Sequence, residues 1–277
     1  PRGATWSLNH RAQLEPLVQA VGLLHLWVER EWDQQLKTLN QQGALNGHVP
    51  ISAIFACVGS IVSILSGYQD NVVSNESSAS EPTLNYQGVD INHQYSKSLT
   101  YEQDFQACLG RLFGSGLRYY SLLRPFSELR IAELFAQVGL DKYRQAFSSC
   151  NRAYRHGENH MFWCGECPKC AFVFLIFTPF VERSKLEELW GGKNLLLDSA
   201  LRKTYEQLLG IEGDKPLECV GEIKESRAAM RLAQDIYPEL RVFEFDLPAD
   251  YDFRAWSEQA MPTEIYDILQ AKLTDSR

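Results

Sequence analysis

The sequence predicts an α/β protein with helices on a parallel sheet, a four-cysteine zinc knuckle and a mainly helical C-terminal extension. Three observations predict it. Between positions 51 and 139, runs of helical period alternate with short β-type runs in the order helix, strand, long loop, helix, strand, helix. That alternation is the pattern of parallel strands joined by helical crossovers. Cys150, Cys164, Cys167 and Cys170 sit in SSCNRAYRHGENHMFWCGECPKC, where two CxxC steps share Cys167 and a fourth thiol lies upstream, the ligand set of a tetrahedral zinc ion. Behind them, helical patterns run to the C terminus.

Composition bounds the class. The chain has 277 residues, 45% hydrophobic and 22% charged, ordinary for a globular protein with ample core. A net charge of −8 argues against nucleic acid as the main partner, because phosphate binding wants a basic face. Seven cysteines, an odd number with four at metal spacing, fit a reducing compartment. No signal peptide is visible and no apolar run reaches the roughly 18 residues that span a bilayer. The expected location is therefore cytoplasmic, with no membrane partner.

Taken in order, residues 7–39 show a helical period, with Leu14, Leu17, Val18, Val21, Leu24, Val28 and Trp32 on one side, and predict one long helix. NQQGALNGHVP (40–50) breaks it. An apolar, buried helix is expected over 51–65, with Pro50 at its first turn and Gly67 ending it. NVVS (71–74) and LRYYSL (117–122) read as strands and 101–112 as a helix. The next helix has Ser127 as N-cap and Gly139 just past its end. AFVFLIFTPFV, directly after the cysteines, is the apolar helix that anchors the knuckle. Further helices are expected over 183–190, 197–209, 222–236 and 262–273, with Gly191 as a C-cap. The division this suggests is an α/β domain over 1–146, the knuckle and its helix over 147–182, and the helical extension over 183–277.

The four thiols favour a closed and therefore structural zinc site, with Gly165 letting the chain turn so that backbone amides face the sulfurs. Reduced unmetallated thiols or redox disulfides are the competing reading. Chemistry is sought in segment 74–98, SNESSASEPTLNYQGVDINHQYSKS, because a long polar loop in a compact domain is usually functional or disordered. In parallel sheets ligands collect beyond the carboxyl ends of strands, where this loop starts. Asn75 and Ser77 offer hydrogen bonds to a ligand and Glu76 a site for Mg²⁺ or an ammonium group. Ordinary Asx turns and caps explain the same residues. His93, Gln94, Tyr95 and Lys97 crowd before a helix N-terminus, which favours an anion; a solvated cap, with Ser98 and Glu102 as a loose capping pattern, is the competing reading. His48, in NGHVP at the start of another helix, is a candidate proton donor or acceptor with Asn46 beside it, and a packed capping histidine is equally compatible. Cys219 reads as a small buried hydrophobe.

These stretches, NGHVP, SNESSAS, NHQYSKS, CGECPKC and ECVGE, resemble the UDP-N-acetylmuramoyl-L-alanyl-L-glutamate epimerase family. The C…CGxCxxC knuckle is also similar to that of deazaguanine nitrile synthases among the nucleotide α-hydrolase-like enzymes of the ATP-pyrophosphatase type. The resemblance implies a partial nucleotide α-hydrolase-like, Rossmann-like domain. It also implies ATP-dependent inversion of the terminal L-glutamate of a UDP-muramoyl dipeptide, a small-molecule substrate, with AMP and diphosphate released in peptidoglycan precursor synthesis. ATP, Mg²⁺ and a structural Zn²⁺ are the implied cofactors. His48, His93 and Lys97 become the candidate catalytic residues, and Asn46, Asn75, Glu76, Ser77, Gln94 and Tyr95 the candidate substrate-binding ones. One departure stands out. ATP-pyrophosphatases carry a GGKDS-type loop after their first strand; none occurs here, and GGKN at 191–194 lies on the wrong side of the cysteines. The expectation is a chain that starts downstream of that loop, with loss of adenylation by divergence as the alternative. Another ATP-pyrophosphatase making an amide or nitrile, or a zinc-stabilised binding module without catalysis, are the other readings.

Overall fold

A computed structural model of the chain describes residues 3–45, 49–154 and 160–274. Packing divides it into two units, one of residues 1–49 with 132–247 and the other of 50–131 with 248–277. Both are mixtures of helices and short sheets, and two of the three sheets are parallel.

The N-terminal stretch differs from the single helix expected over 7–39. It forms β1 (Ala4–Leu8), α1 (Arg11–Val21), β2 (Leu24–Val28) and α2 (Gln34–Gln41). β1 and β2 pair in parallel from Ala4↔Leu24 to Leu8↔Val28. Two local features break the apparent periodicity. Asn9 and His10 both take positive φ, 58° and 54°, turning the chain out of β1. Gly22, at φ 71°, closes α1 with its amide bonded to the Val18 carbonyl, a glycine C-cap. LHLWV then alternates as a strand does, and the His25 ring lies between Thr5 Oγ1 (2.8 Å) and Ser7 Oγ (3.0 Å) of β1.

In the second unit, α3 (Ile51–Ser66) and β3 (Asp70–Val73) follow as expected. The helix ends at Gly67, whose φ is 71°. Its burial is not as expected. The side that packs inward is Ala56, Gly59, Ser60 and Ser63, while Ile51, Phe55, Ile61, Ile64 and Leu65 stay exposed. Small residues let the helix lie close enough to β3 for Asn71 Nδ2 to reach the Ala56 carbonyl (3.0 Å) and Ser60 Oγ (3.2 Å). The segment after β3 is not featureless. It holds a 3₁₀ turn at Ser77–Ser80, a hairpin of β4 (Leu84–Tyr86) and β5 (Val89–Ile91), and a second 3₁₀ turn at Tyr95–Lys97. The hairpin turns on Gln87 and Gly88, both at positive φ, the geometry that matches strand twist.

Next come α4 (Leu99–Phe113) and β6 (Arg118–Ser121). β6 pairs in parallel with β3, Asp70↔Arg118 to Val73↔Ser121. Leu109, Leu117 and Tyr119 pack with Ala56 as the buried cluster here, each large side chain contributing about 1.5–3 kcal/mol. Ser127 caps α5 (Glu128–Val138), its Oγ accepting from the Arg130 amide at 3.0 Å.

The remaining elements are α6 (Leu140–Tyr143), α7 (Pro168–Phe177), α8 (Arg183–Glu188), α9 (Arg202–Leu208), α10 (Ile223–Ile236) and α11 (Thr263–Thr274). α7 is the anchoring helix expected from AFVFLIFTPFV, and every residue from Lys169 to Phe177 is buried. α9 and α10 pack on it, and α10 starts with a Glu222–Glu225 capping box, which satisfies two otherwise orphaned amides. α8 closes on Gly191 and Gly192, both at positive φ, so WGGKN is a helix terminus. No helix among the described residues is long and apolar enough to cross a membrane.

Candidate functional site

Loop 74–98 leaves the carboxyl end of β3, and residues 122–126 leave the carboxyl end of β6 beside it. Their contacts are specific. Asn75 accepts from Ser121 Oγ through its carbonyl (2.6 Å), and its side chain bonds the Tyr119 hydroxyl, which burial pushes above the ordinary phenol range. Ser77 donates both its amide and its Oγ to the Phe126 carbonyl, each at 3.0 Å. At the far end of the loop, Lys97 Nζ meets Gln94 Oε1 at 3.1 Å. The His93 ring meets Thr83 Oγ1 at 2.5 Å. Tyr95 is half exposed and its hydroxyl points to Asp104 Oδ2 at 3.4 Å. Ser98 caps α4 by accepting from the Tyr101 amide at 3.2 Å. Asn46 and His48 lie outside the described residues.

The two ends of the loop meet on a residue that the sequence does not single out. Arg124, buried to 1% exposure, donates from Nη1 to the Glu76 carbonyl (2.6 Å) and from Nη2 to the Lys97 carbonyl (2.5 Å). Its Nε and Nη2 also reach Glu102 Oε2 at 3.2 and 3.1 Å. Glu102, equally buried, accepts from the Ser121 amide at 3.0 Å through Oε1. Burial pushes the Glu102 carboxyl up, opposed by the Ser121 amide and by Arg124. A lone Arg in LLRPFS gives no pattern, because its partners stand 22 to 48 positions away. In the first unit, the carboxyl ends of β1 and β2 border a cavity of about 280 Å³ lined by residues 9–11 and 27–31.

The cysteine centre is compact. Cys150, Cys164, Cys167 and Cys170 place their sulfurs within 4.8 Å of one another. Cys150–Cys167 and Cys164–Cys170 stand at 3.9 and 3.7 Å. A tetrahedron with metal–sulfur bonds of ~2.3 Å has edges of about 3.8 Å, so the four thiols fit a zinc-sized ion. Disulfide sulfurs would lie about 2.05 Å apart. The local sequence explains the shape. Gly165 takes φ 72°, and the amides of Glu166 and Cys170 point at Cys164 and Cys167 sulfurs, both at 3.4 Å, as in a metal knuckle. Ser148 ties the arms together, accepting from the Cys150 amide (3.0 Å) and donating to the Phe162 carbonyl (2.7 Å). Hydrogen bonds, first from Cys170, hold the Cys167 thiol down at about 4. The same contact and burial push Cys170 far up.

The fold and the centre together describe a mixed α/β protein with a compact four-thiol cluster that could hold a metal ion. The family profile of the MurL N-terminal domain matches residues 3–122 and that of the MurL C-terminal domain residues 146–241. The chain belongs to this family. It is similar to the UDP-N-acetyl-alpha-D-muramoyl-L-alanyl-L-glutamate epimerase of Micromonospora sp., 41% identical over 82% of this chain and 50% of that protein. The enzyme of the same name from Salinispora tropica is 42% identical over 82% of this chain and 49% of its own length. That from Xanthomonas oryzae pv. oryzae is 43% identical over 76% and 47%. The chain thus spans about half the length of the curated relatives it matches. No solved structure matches it.

Proposed function

We propose that the whole protein inverts the terminal L-glutamate of UDP-N-acetylmuramoyl-L-alanyl-L-glutamate to the D form, as the names of its relatives state for them. The observation that carries this reading is identity of 41–43% to three epimerases, in a chain whose family matches, 3–122 and 146–241, include loop 74–98 and all four cysteines. ATP and Mg²⁺ enter the same reading. The substrate carboxylate attacks the α-phosphorus of ATP and diphosphate leaves. The resulting acyl-adenylate acidifies the α-hydrogen, which a base removes; a proton returns on the opposite face, and water releases the carboxylate and AMP. A partial nucleotide α-hydrolase-like fold belongs to this proposal, supported by the parallel pairing of β3 with β6 and the loop at their carboxyl ends.

In this scheme Lys97 neutralises a phosphate or carboxylate, and His93 and His48 are the candidate proton-transfer groups. Asn46, Asn75, Glu76, Ser77, Gln94 and Tyr95 bind substrate. Zinc, held by the four thiols, supplies folding energy and no chemistry, because four protein ligands leave no open position. The test is incubation of the whole protein with the L-glutamyl precursor, ATP and Mg²⁺. D-Glutamyl product with one AMP and one diphosphate per turnover at the start of reaction is the expected result. Inversion without ATP would remove the adenylation step, and AMP release with an amide or nitrile product would favour another ATP-pyrophosphatase chemistry.

A further inference from the structure

Arg124 is the largest of the fully buried side chains. A guanidinium so placed needs nearly every donor satisfied. The Glu102 carboxylate alone would balance its charge, yet two of its hydrogen bonds go to main-chain carbonyls, those of Glu76 and Lys97. These residues stand near the two ends of loop 74–98, with a hairpin and two 3₁₀ turns between them. We infer that Arg124 is a positioning residue: it staples the two ends of the loop so that Glu76 and Lys97 hold a fixed spacing before ligand arrives. The inference rests on the reading that this loop takes the substrate.

The chemistry favours arginine for this task. Its planar fork addresses three acceptors in fixed directions, whereas a lysine is a point charge on a flexible stem. Glu102 orients the fork from α4, and its other oxygen holds the Ser121 amide at the end of β6. The guanidinium plane is thereby set by the same sheet that launches the loop. A loop closed in advance spares the ligand the work of ordering it. When only a fraction of molecules has the competent loop, apparent affinity falls by that fraction, while a saturating ligand still recruits the competent form. Loss of the staple therefore raises KM and spares kcat. A merely structural role would lower the folded fraction, and with it apparent kcat, at constant KM.

The test compares the whole wild-type protein with Arg124→Lys, which keeps a cation beside Glu102 but cannot span both carbonyls. A second variant, Arg124→Met with Glu102→Gln, removes the buried charges and retains an acceptor for Ser121. Both are expected to raise KM for the UDP-muramoyl dipeptide about tenfold, with kcat within about twofold. Amide hydrogen exchange across 74–98 is expected to quicken about tenfold or more while β3, α4 and β6 keep their protection. Unchanged exchange in the loop, or a fall in kcat at constant KM in both variants, would overturn the staple. If the wild-type protein does not epimerise this substrate, the functional reading fails, and the exchange arm still decides whether Arg124 holds the loop.

Discussion

At the scale of single residues, the centre and the loop make opposite demands on charge. Hydrogen bonds, first from Cys170, hold the Cys167 thiol below the ordinary thiol range, which favours the thiolate form that a cation needs. A depressed pKa gives stability that is full above the ordinary thiol value, ~8.5, and is lost as pH falls towards the folded value. Zinc-loaded protein should therefore lose metal and stability together as pH falls, because acid protonates the thiolates that hold the ion. Metal release read by a colorimetric chelator, together with thermal unfolding, checks this; stability lost while the metal stays bound would refute it. Lys97 carries the complementary expectation. Lys97→Ala should lower kcat/KM by an amount equivalent to about 2–4 kcal/mol if the ammonium faces developing charge. A variant with wild-type kinetics would take Lys97 out of the site.

At the scale of elements, Gly165 gives a clean test. A Cβ there would meet only ordinary contacts, at 3.6 Å from Trp190 and 3.7 Å from Leu195. The obstacle is conformational, since φ is 72°. Gly165→Ala should cost about 1–2 kcal/mol, the left-handed penalty of an L residue, and weaken metal retention in a chelator competition without changing unfolding of the 50–131 unit. The same scale shows what the sequence reveals. α3, α4 and α5 are legible because each carries its own punctuation, Pro50 and Gly67, then Ser98, then Ser127, and β3 and β6 because NVVS and LRYYSL are short β-type runs. The cysteine spacing is legible because its ligands lie within 21 positions. The β1–α1–β2 unit is hidden, since LHLWV continues the helical period of the preceding residues and only Gly22 marks the break. The inward face of α3 is hidden as well, because its packing depends on small residues rather than on an apolar stripe. Arg124 is illegible for a different reason. Its role exists only once β3 and β6 bring Glu76, Lys97 and Glu102 to one guanidinium.

At the scale of the whole molecule, the four-thiol centre sits on α7, whose residues from Lys169 to Phe177 are all buried, so metal binding and folding of that unit should be coupled. The purified protein should carry about one zinc per chain through the four thiolates. Cys150→Ser should unfold the stretch 147–182, as read by proteolysis and hydrogen exchange, rather than merely slow turnover. A folded, metal-free protein would refute the structural role. The central claim concerns the α-carbon of the terminal glutamate. The measurement that addresses it most directly is deuterium incorporation when the whole protein turns over the L-glutamyl dipeptide precursor with ATP and Mg²⁺ in D₂O. Removal and return of the α-proton by solvent-exchanging groups predicts D-glutamyl product carrying one deuterium at that carbon, formed only when ATP is present. Product that keeps its original hydrogen, or substrate that returns as the unlabelled L form while ATP is consumed, would contradict it.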